Sequence, residues 1–472
     1  MAVRQAQPRL YSERWLMLAI LSMLAMLSDW ICFSVAPIPS IMEKAFRGLD
    51  AATLVTIFLS TNVMFCFVEP YLIVRRGLRR VVVDGCWLMF AGCLLRSGLP
   101  GHPMTSQTGI VVGTILVGAA QPFFQCTPAL LAAAWFGPNE RVLATTVAIN
   151  ANQIGIAMSY IVGAYMVKDT DDIHSYFLVI TAFSTVLLLL GLFFFKSEPP
   201  TPPSFSGMEK GADSPGRSGG ALGVVGTAGT PSRRAFAVWL EVISGMKDLL
   251  LTKGFSHPLA AFMVSIGITN VVSTFLDHLL SHLGFHQHIV GIVGALFQAM
   301  IMIGSLIIGS IVDRNKRYYR TTMFCFYLSF LWLFACSEKT LRGASFCASI
   351  LALGFFVGPI QPITAELAVE VTFPADENAI VAVQMVFGNL FSAVLLPICN
   401  AARHLHLKEY GMRMDYVLLL ALCGSGGFFF STFDAPLLRL KSELAGADND
   451  VQGSRSPLKK SGAAASSFDD EL

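Results

Sequence analysis

The sequence predicts an all-α membrane protein of twelve transmembrane helices, arranged as two pseudo-symmetric bundles of six. Three observations predict this fold class. The 472 residues are 54% hydrophobic and only 14% charged, whereas a soluble domain carries about 25% charged residues. Long apolar runs recur along the chain, each with the roughly 20 residues that a helix needs to cross the hydrocarbon core. Two polar loop motifs also occur twice, at nearly the same spacing.

The apolar runs are continuous, which favours helices over the strands of a membrane barrel. Barrel strands would alternate polar and apolar residues over about 10 positions. A helix also satisfies its own backbone hydrogen bonds inside the lipid core. The predicted spans, numbered 1 to 12 in chain order, cover residues 14–36, 52–74, 81–99, 109–134, 142–167, 174–196, 258–281, 289–312, 321–337, 344–370, 379–402 and 414–433.

The basic residues of the short loops predict the orientation. Arginine and lysine cluster after span 2, at residues 75–80, and after span 8, at residues 314–320. Because loops rich in Lys and Arg remain in the cytoplasm, we expect both loops and both termini on the cytoplasmic side. The result is a multi-pass integral membrane protein. The plasma membrane is the expected location, with an endomembrane or organelle as the alternative.

Polar segments divide the chain into five parts. The segment after span 6 is rich in Pro, Gly and Ser, a composition that cannot bury enough apolar surface to fold. The sequence therefore predicts a cytoplasmic N-tail at 1–13, a first bundle at 14–196, a cytoplasmic linker at 197–257, a second bundle at 258–433 and a disordered cytoplasmic C-tail at 434–472. The linker is predicted to be mostly disordered, with an amphipathic helix over 236–252.

Loop motifs indicate that the two bundles are repeats. Aligning Val74 after span 2 with Asp313 after span 8 gives an offset of 239 residues. Aligning Glu140 after span 4 with Glu377 after span 10 gives an offset of 237 residues. Parallel six-helix repeats place a substrate site near the membrane midplane, between the halves. Rocking of one half against the other would then give alternating access.

Composition and motifs exclude several function classes. The net charge of +2 does not indicate nucleic-acid binding, and the ten cysteines form no CxxC pair. The sequence contains no phosphate-binding loop and no hydrolase or metalloprotease motif. We therefore predict no enzyme activity, no catalytic residue, no metal site and no cofactor, and we interpret the cysteines as free thiols. The expected partners are a small-molecule substrate, the lipid bilayer and, as an alternative, a coupled proton, with a monomer as the default.

Polar residues inside the spans are the candidate substrate contacts. Asp29 lies in span 1, and a carboxylate at membrane depth usually marks an ion, proton or substrate path. Its neighbour Trp30 offers a ring face to a cation, worth about 2 kcal/mol when desolvated. Gln121 and Gln125, one turn apart in span 4, place two amides on one face. Structural roles are the alternatives, including a hydrogen bond between helices, which is common for Gln in membranes.

The loop after span 8 carries a family signature. Gly309 is followed four residues later by Asp313 and Arg314, and then by Lys316 and Arg317. This pattern resembles the signature loop of the major facilitator superfamily. The first-half copy has Val74 where that signature has Asp.

Within that superfamily, four stretches resemble the feline leukaemia virus subgroup C receptor-related family. They are Arg14-Trp15 with Trp30 in span 1, the loop Arg76-Gly77-Leu78-Arg79, the run from Ala120-Gln121 to Glu140, and the end of span 10 from Glu366 to Glu377. The resemblance implies carriers of choline and ethanolamine. Haem has also been proposed for the family, and one branch is linked to a pyridoxine-like vitamin.

The resemblance also implies a substrate pocket. In the choline carriers the pocket uses a Trp of span 1, a Gln of span 4, a Tyr of span 7 and a Gln of span 11. Trp30 and Gln121 fall on the first two positions. Asn270 stands where the family has Tyr, and Gln384 lies one residue from the fourth position. We take these four residues, together with Asp29, as the predicted substrate-binding set.

Charged residues near the cytoplasmic loops are the candidate gate. Glu366 and Glu370 lie one turn apart in span 10, close to the loops that carry Glu140, Arg141 and Glu377. We expect ion pairs between the halves here that close the inner gate in the outward-facing state. The signature residues belong to the same conformational gate: Asp313 and Arg314.

At the other end of span 7, Asp277 and His278 are predicted to form a gate or to be solvated. The nearby His282, His286 and His288 leave a metal or haem contact as an alternative.

The sequence therefore favours a facilitative or ion-coupled carrier of a small polar or cationic metabolite such as choline or ethanolamine. Three alternatives stay open: a haem or porphyrin transporter, a proton-coupled carrier of a vitamin or other nutrient, and a membrane receptor that does not transport.

Overall fold

The computed structural model is built almost entirely of helices. It describes residues 9–104, 106–137, 140–201, 240, 243–337, 343–375, 377–403, 405 and 413–440. Most of the predicted linker and C-tail, and part of the predicted amphipathic helix, lie outside these residues.

Six spans make the first half. Their helices are Glu13–Cys32 for span 1, Ala51–Cys66 with Glu69–Arg76 for span 2, Leu78–Ser97 for span 3, Gln107–Ala120 with Pro122–Gln125 and Pro128–Trp135 for span 4, Arg141–Met166 for span 5, and Asp172–Phe194 for span 6. Shorter elements also occur in the loops of this half: the helix Pro39–Ala45 and the paired strands Gly98–Leu99 and His102–Pro103.

Six more spans make the second half. Their helices are Ser256–His282 for span 7, Gln287–Asn315 for span 8, Tyr318–Ser337 for span 9, Ala344–Val357 with Ile360–Thr372 for span 10, Glu377–Ala402 for span 11, and Met414–Ser431 for span 12.

Length and composition agree with twelve crossings. Ten of the described helices are long and apolar enough to span a membrane, and the pair that forms span 2, bent by 48°, makes an eleventh. Span 3 has 20 residues and carries Arg79, Arg80, Asp84 and Arg96, so it is long enough but more charged than the others. Packed between spans 4 and 6, it completes the twelve, and the prediction of a twelve-helix membrane fold is confirmed.

Proline breaks the interrupted spans. Pro70 follows the bend of span 2, and Pro122 and Pro128 begin the second and third pieces of span 4. Proline has no N–H to donate and its ring clashes with the preceding turn, so it ends a helix or begins a new one. The first pieces of spans 4 and 10, Gln107–Ala120 and Ala344–Val357, begin and end at an offset of 237 residues. That offset is the one found in the loop motifs, as expected for a repeat.

The halves meet along spans 2 and 11 and along spans 5 and 8. We name the two ends of the bundle after a residue of each. The Asp50 end carries the loops after spans 1, 5, 7 and 11. The Arg76 end carries the basic loops, and the sequence predicts that it is cytoplasmic.

Segments beside the second half pack against it. Residues 243–251 are helical, and Leu249 is buried in an apolar cluster with Phe255 and Val383. After span 12 the backbone N–H of Leu440 donates to Glu370 Oε2 at 3.1 Å. The prediction of free thiols is confirmed, because all ten cysteines are unpaired, eight of them buried.

Candidate functional site

A chain of four polar side chains crosses the interface between the halves. The Gln121 Nε2–H donates to Asp29 Oδ1 at 2.6 Å, and Asn62 Nδ2–H donates to Gln121 Oε1 at 2.7 Å. Asn389 Nδ2–H then donates to Asn62 Oδ1 at 3.0 Å. All four residues are buried. We call this set, Asp29, Gln121, Asn62 and Asn389, the midplane chain.

The name follows from where the residues lie in their helices. Asn62 and Asn389 are close to the middle of spans 2 and 11, and Gln121 lies at the break in the middle of span 4. Asp29 is nearer the Asp50 end of span 1. Substrate sites of transporters built from parallel repeats lie at this depth between the halves. The midplane chain therefore occupies the expected place of a substrate site.

A second amide lies beside the chain. Gln125 Oε1 is 3.4 Å from Asn62 Nδ2, and Gln125 Nε2 is 3.8 Å from the sulfur of Met385 in span 11. One turn below, the Cys66 thiol donates to Asn62 Oδ1 at 3.6 Å. Asn62 is thus the junction of the site, with polar contacts to spans 4 and 11. Gln121 and Gln125 share a face, as predicted, and that face is directed at Asn62.

The second half contributes neutral amides and hydroxyls. Asn270 Nδ2–H donates to Ser392 Oγ at 3.0 Å, joining spans 7 and 11. Gln384 Nε2–H donates to the Thr364 carbonyl oxygen at 3.3 Å. The Oε1 atom of the fully buried Gln384 has no hydrogen-bond partner among the described residues. Asn270 and Gln384 therefore lie in the second half, bonded within it rather than to the midplane chain.

Trp30 is placed differently from its neighbour Asp29. Its Nε1–H donates to the Tyr176 hydroxyl at 3.1 Å, and its ring lies 5.7 Å from that of Phe183. Both partners belong to span 6, so the indole faces the interior of the first half. Substrate contact by Trp30 stays a prediction, and it requires spans 1 and 6 to separate at this point.

Spans 5, 7 and 8 form a tight contact on the Asp50 side of the midplane. The Tyr160 hydroxyl donates to the Ser273 carbonyl, and Gln298 Nε2–H donates to Ser273 Oγ at 2.8 Å. A Cβ atom at Gly294 of span 8 would overlap the Tyr160 ring, so only glycine allows this approach. Asp277 is buried nearby, with the Ser281 hydroxyl 3.3 Å from its Oδ1.

The Asp50 end is joined across the halves by polar side chains. Asp50 caps the first helix of span 2 through the Thr53 N–H at 2.8 Å, and Asn400 Nδ2–H of span 11 donates to its other oxygen at 2.6 Å. Partial burial opposes ionisation, but these bonds and the charge of Arg403 outweigh it and lower the pKa of Asp50 below its ordinary value. Gln287 Nε2–H of span 8 donates to the Val167 carbonyl at 3.0 Å.

Several described bonds of the predicted gate residues at the Arg76 end lie within one half. Glu140 pairs with Arg14 at 3.3 Å, and Arg141 Nε donates to the Phe136 carbonyl at 3.1 Å. In the second half, Glu366 pairs with Arg439 at 3.5 Å.

Arg314 lies in the last turn of span 8, and Glu370 is the acceptor of the Leu440 N–H. The side chains of Asp313 and Glu377 lie outside the described part of the structure. Ion pairing between the halves in the opposite conformation stays a prediction.

The histidines of span 7 and the following loop are at the Asp50 end, away from the midplane. His288 stacks obliquely on Tyr165 of span 5, with 6.4 Å between the ring centroids. His278 lies within the helix of span 7 and His286 precedes the helix of span 8, while the side chain of His282 is outside the described residues.

Four polar residues of the spans were missed by the sequence analysis. Asn62 and Asn389 belong to the midplane chain. Glu69 is buried at the bend of span 2, close to the thiol of Cys126. Arg96 is buried in span 3, where it donates to the Ile31 carbonyl at 3.2 Å and to Ser34 Oγ at 2.8 Å. The charges of Glu69 and Arg96 inside apolar runs were visible signals, whereas the uncharged amides of Asn62 and Asn389 gave none.

The fold and the site can now be compared with known proteins. The family model described as Major Facilitator Superfamily matches residues 18–397. The chain belongs to the major facilitator superfamily. It is therefore a membrane transporter rather than an enzyme. The crystal structure of a D-xylose-proton symporter matches with a TM-score of 0.66 over 90% of this chain and 99% of that one, at 13% identity, which shows the common fold.

Relatives confirm the narrower resemblance. Solute carrier family 49 member A3 of Xenopus tropicalis is 26% identical over 91% of this chain and 88% of its own length. The choline/ethanolamine transporter flvcr2a of Danio rerio is 26% identical over 78% of this chain and 76% of its own length. The multi-pass transporter is thus similar to carriers of the family that the sequence motifs indicated.

Proposed function

We propose that this transporter carries a small polar or cationic metabolite, of the choline or ethanolamine type, by alternating access, with Asp29 as the contact for its positive group. One observation carries the proposal. Asp29 is a buried carboxylate in the middle region of the bundle, and no arginine or lysine of the described residues forms an ion pair with it. A carboxylate at this depth is costly unless a cation or proton compensates it.

Gln121 is proposed as the second substrate contact. Its N–H holds one oxygen of Asp29 at 2.6 Å, so it positions the carboxylate and lies beside any group that binds there. An ethanolamine or choline hydroxyl would find amide donors and acceptors in Gln121 and Gln125. Two zebrafish relatives are named as choline/ethanolamine transporters, which supports this substrate class.

Alternating access is supported by the way in which the two ends are held. At the Asp50 end, hydrogen bonds join span 2 to span 11 and span 5 to span 8. At the Arg76 end, the ion pairs of Glu140 and Glu366 stay within one half. We interpret the conformation as closed at the Asp50 end, with the predicted gate pairs forming when the halves rock the other way.

A proton-coupled nutrient carrier is the second candidate, and the same observation favours it. A proton neutralises Asp29 as well as an ammonium group does, and it needs no additional space. In that case uptake would rise as the external pH falls, and a neutral nutrient would be carried.

Uptake into proteoliposomes tests the proposal. Labelled choline and ethanolamine are offered at pH 5.5 and 7.5 to the wild type, to Asp29→Asn and to Trp30→Ala. We expect saturable uptake that Asp29→Asn lowers at least tenfold, because the compensating charge is lost. Asp171→Asn is the control, since Asp171 is an exposed acid just before the helix of span 6.

The outcomes separate the candidates. Saturable uptake with little pH dependence supports a cation carrier, and uptake that falls steeply from pH 5.5 to 7.5 supports proton coupling. Absence of uptake by folded protein would contradict the choline and ethanolamine assignment. It would then favour a porphyrin substrate or a receptor without transport.

A further inference from the structure

All three hydrogen bonds of the midplane chain are donated toward Asp29, and the negative charge of Asp29 sets this order. An ionised carboxylate only accepts hydrogen bonds, so Asp29 requires the Nε2–H group of Gln121. Gln121 must then direct Oε1 toward the next residue, and Asn62 Nδ2–H donates a hydrogen bond to it at 2.7 Å. The Oδ1 atom of Asn62 is left to accept from Asn389 at 3.0 Å. Each amide orientation thus follows from the acceptor at the end of the chain.

Only the last bond of the chain crosses between the halves. Asp29, Gln121 and Asn62 belong to spans 1, 4 and 2, whereas Asn389 belongs to span 11. Spans 2 and 11 form one of the two long contacts along which the halves meet. The charge at Asp29 is therefore connected to the interface by an unbroken series of buried side chains.

The Nδ2–H group of Asn62 has a second acceptor within reach. Asn62 Nδ2 lies 2.7 Å from Gln121 Oε1 but also 3.4 Å from Gln125 Oε1. When Gln121 turns away, Asn62 can transfer its donor to Gln125 with a small movement. Buried polar groups remain hydrogen-bonded wherever they can, so a change at one bond forces the neighbouring bonds to rearrange.

We propose that Asn62 and Asn389 are positioning residues for transport, which relay occupancy of Asp29 to the contact between spans 2 and 11. The inference rests on the proposed function, since it takes Asp29 as the substrate contact. A cationic group at Asp29 competes with the Gln121 amide for the carboxylate. Gln121 then turns, Asn62 re-pairs with Gln125, and the Asn62–Asn389 bond is weakened at the interface that must slide. The relay gives the substrate a means to favour the rocking of the halves.

A double-mutant cycle tests the relay. Asp29→Asn, Asn389→Ala and the double variant are compared with the wild type by KM and maximal rate of choline uptake into proteoliposomes. Asp29 and Asn389 do not contact each other, because Gln121 and Asn62 lie between them. If the two substitutions acted independently, their effects on the maximal rate would multiply. Without the Asn62–Asn389 bond, binding at Asp29 can no longer favour the rocking of the halves. We therefore expect Asn389→Ala to lower the maximal rate about tenfold with little change in KM, a coupling of about the size of one buried hydrogen bond. The double variant should then be no more than about twofold slower than Asp29→Asn.

Two further variants separate a relay from simple loss of packing. Asn270→Ala removes the hydrogen bond that Nδ2–H donates to Ser392 Oγ. This bond joins span 7 to span 11 but includes no residue of the midplane chain. The effect of Asn270→Ala should multiply with that of Asp29→Asn. Asn389→Gln keeps an amide at the interface and should restore part of the maximal rate. Effects of Asn389→Ala and Asp29→Asn that multiply, or an Asn389→Gln variant as slow as Asn389→Ala, would overturn the relay.

A measurement without flux keeps this inference separate from the proposed function. Spin labels at the exposed residues Glu43 and Leu405, one in each half at the Asp50 end, report their separation with and without choline. We expect choline to change the distance distribution in the wild type but not in Asn389→Ala. If Asp29→Asn leaves uptake unchanged, the proposed cation contact fails. The relay is also overturned if choline changes the label distances in Asn389→Ala as much as it does in the wild type.

Discussion

The two ends of the bundle are held together in different ways. At the Asp50 end, polar side chains link the halves: Asp50 with Asn400, and Val167 with Gln287. At the Arg76 end, the described ion pairs lie inside one half, as between Arg14 and Glu140. The first kind of bond must break whenever the halves separate at that end, whereas the second kind survives. The described bonds across the halves at the Asp50 end therefore support our proposal that this conformation is closed there.

The largest expected effect comes from the glycine that lets spans 5 and 8 meet. In Gly294→Ala the new methyl group would overlap the Tyr160 ring, whose hydroxyl is held by the Ser273 carbonyl. Overpacking of this kind costs about 1–3 kcal/mol. Here the cost falls on the closed Asp50 end, so the halves are driven apart there. We expect the Glu43–Leu405 label distance to increase and uptake to fall about tenfold or more.

The control for that substitution lies on the same helix. Gly309→Ala adds the same methyl group where no atom lies within 4 Å. It should leave the label distance unchanged. Equal effects of the two substitutions would show that the contact at Tyr160 does not hold the Asp50 end closed.

The next effect is expected from the residue that caps span 2. Asp50→Ala removes a helix cap, worth about 1 kcal/mol. It also removes the bond from Asn400 across the halves, and a hydrogen bond to a charged group is worth about 1.5–3 kcal/mol. We expect a shift of the label distances toward an open Asp50 end and a lower unfolding temperature in detergent. Asp50→Ser keeps a helix cap but has no charge to accept the bond from Asn400. Relative to Asp50→Ala, it should restore the unfolding temperature more fully than it restores the label distance of the closed Asp50 end.

The pH dependence of this contact has a definite sign. The pKa of Asp50 is lowered in the folded protein, so its contribution is fully present above the ordinary value of about 3.9. It is lost only as the pH falls through the lowered pKa. Between pH 5.5 and 7.5 Asp50 therefore stays ionised, and its titration should contribute nothing to any change of the label distances with pH. If the label distances change with pH in this range in the wild type but not in Asp50→Asn, this assignment is wrong.

The smallest effect is expected at the Arg76 end. Arg439→Ala removes a described partner of Glu366 that follows span 12, at a distance of 3.5 Å and with both side chains substantially exposed. Such pairs contribute about 0–1 kcal/mol. The label distances and the rate of uptake should change less than twofold. A clear opening of the Asp50 end in this variant would remove the contrast between the two ends.

Much of the fold could be predicted from the sequence, because hydropathy reports burial in lipid directly. The twelve spans and the two halves follow from apolar length and loop charge. The site was predictable only in part. Asp29 and Gln121 stand out as polar residues in apolar runs, and the structure brings them together.

Asn62 and Asn389 could not be found in the same way. Each is an uncharged amide within a long span, and its role depends on the register of spans 2 and 11 across the interface. Hydropathy carries no information about that register. The orientation of Trp30 toward Tyr176 was hidden for a similar reason, since neighbouring residues of a helix point about 100° apart.

The breaks in spans 4 and 10 match between the two halves. The helices Gln107–Ala120 and Ala344–Val357 stop at the same point of the repeat. A proline follows in each copy, Pro122 and Pro359. The interrupted helix is therefore a feature that the two six-helix units share. At the position just past the break, one copy carries Gln121 and the other Gly358. The amide that holds Asp29 thus has no counterpart in the second half, so the two units share the break but only the first carries a polar contact for a ligand there.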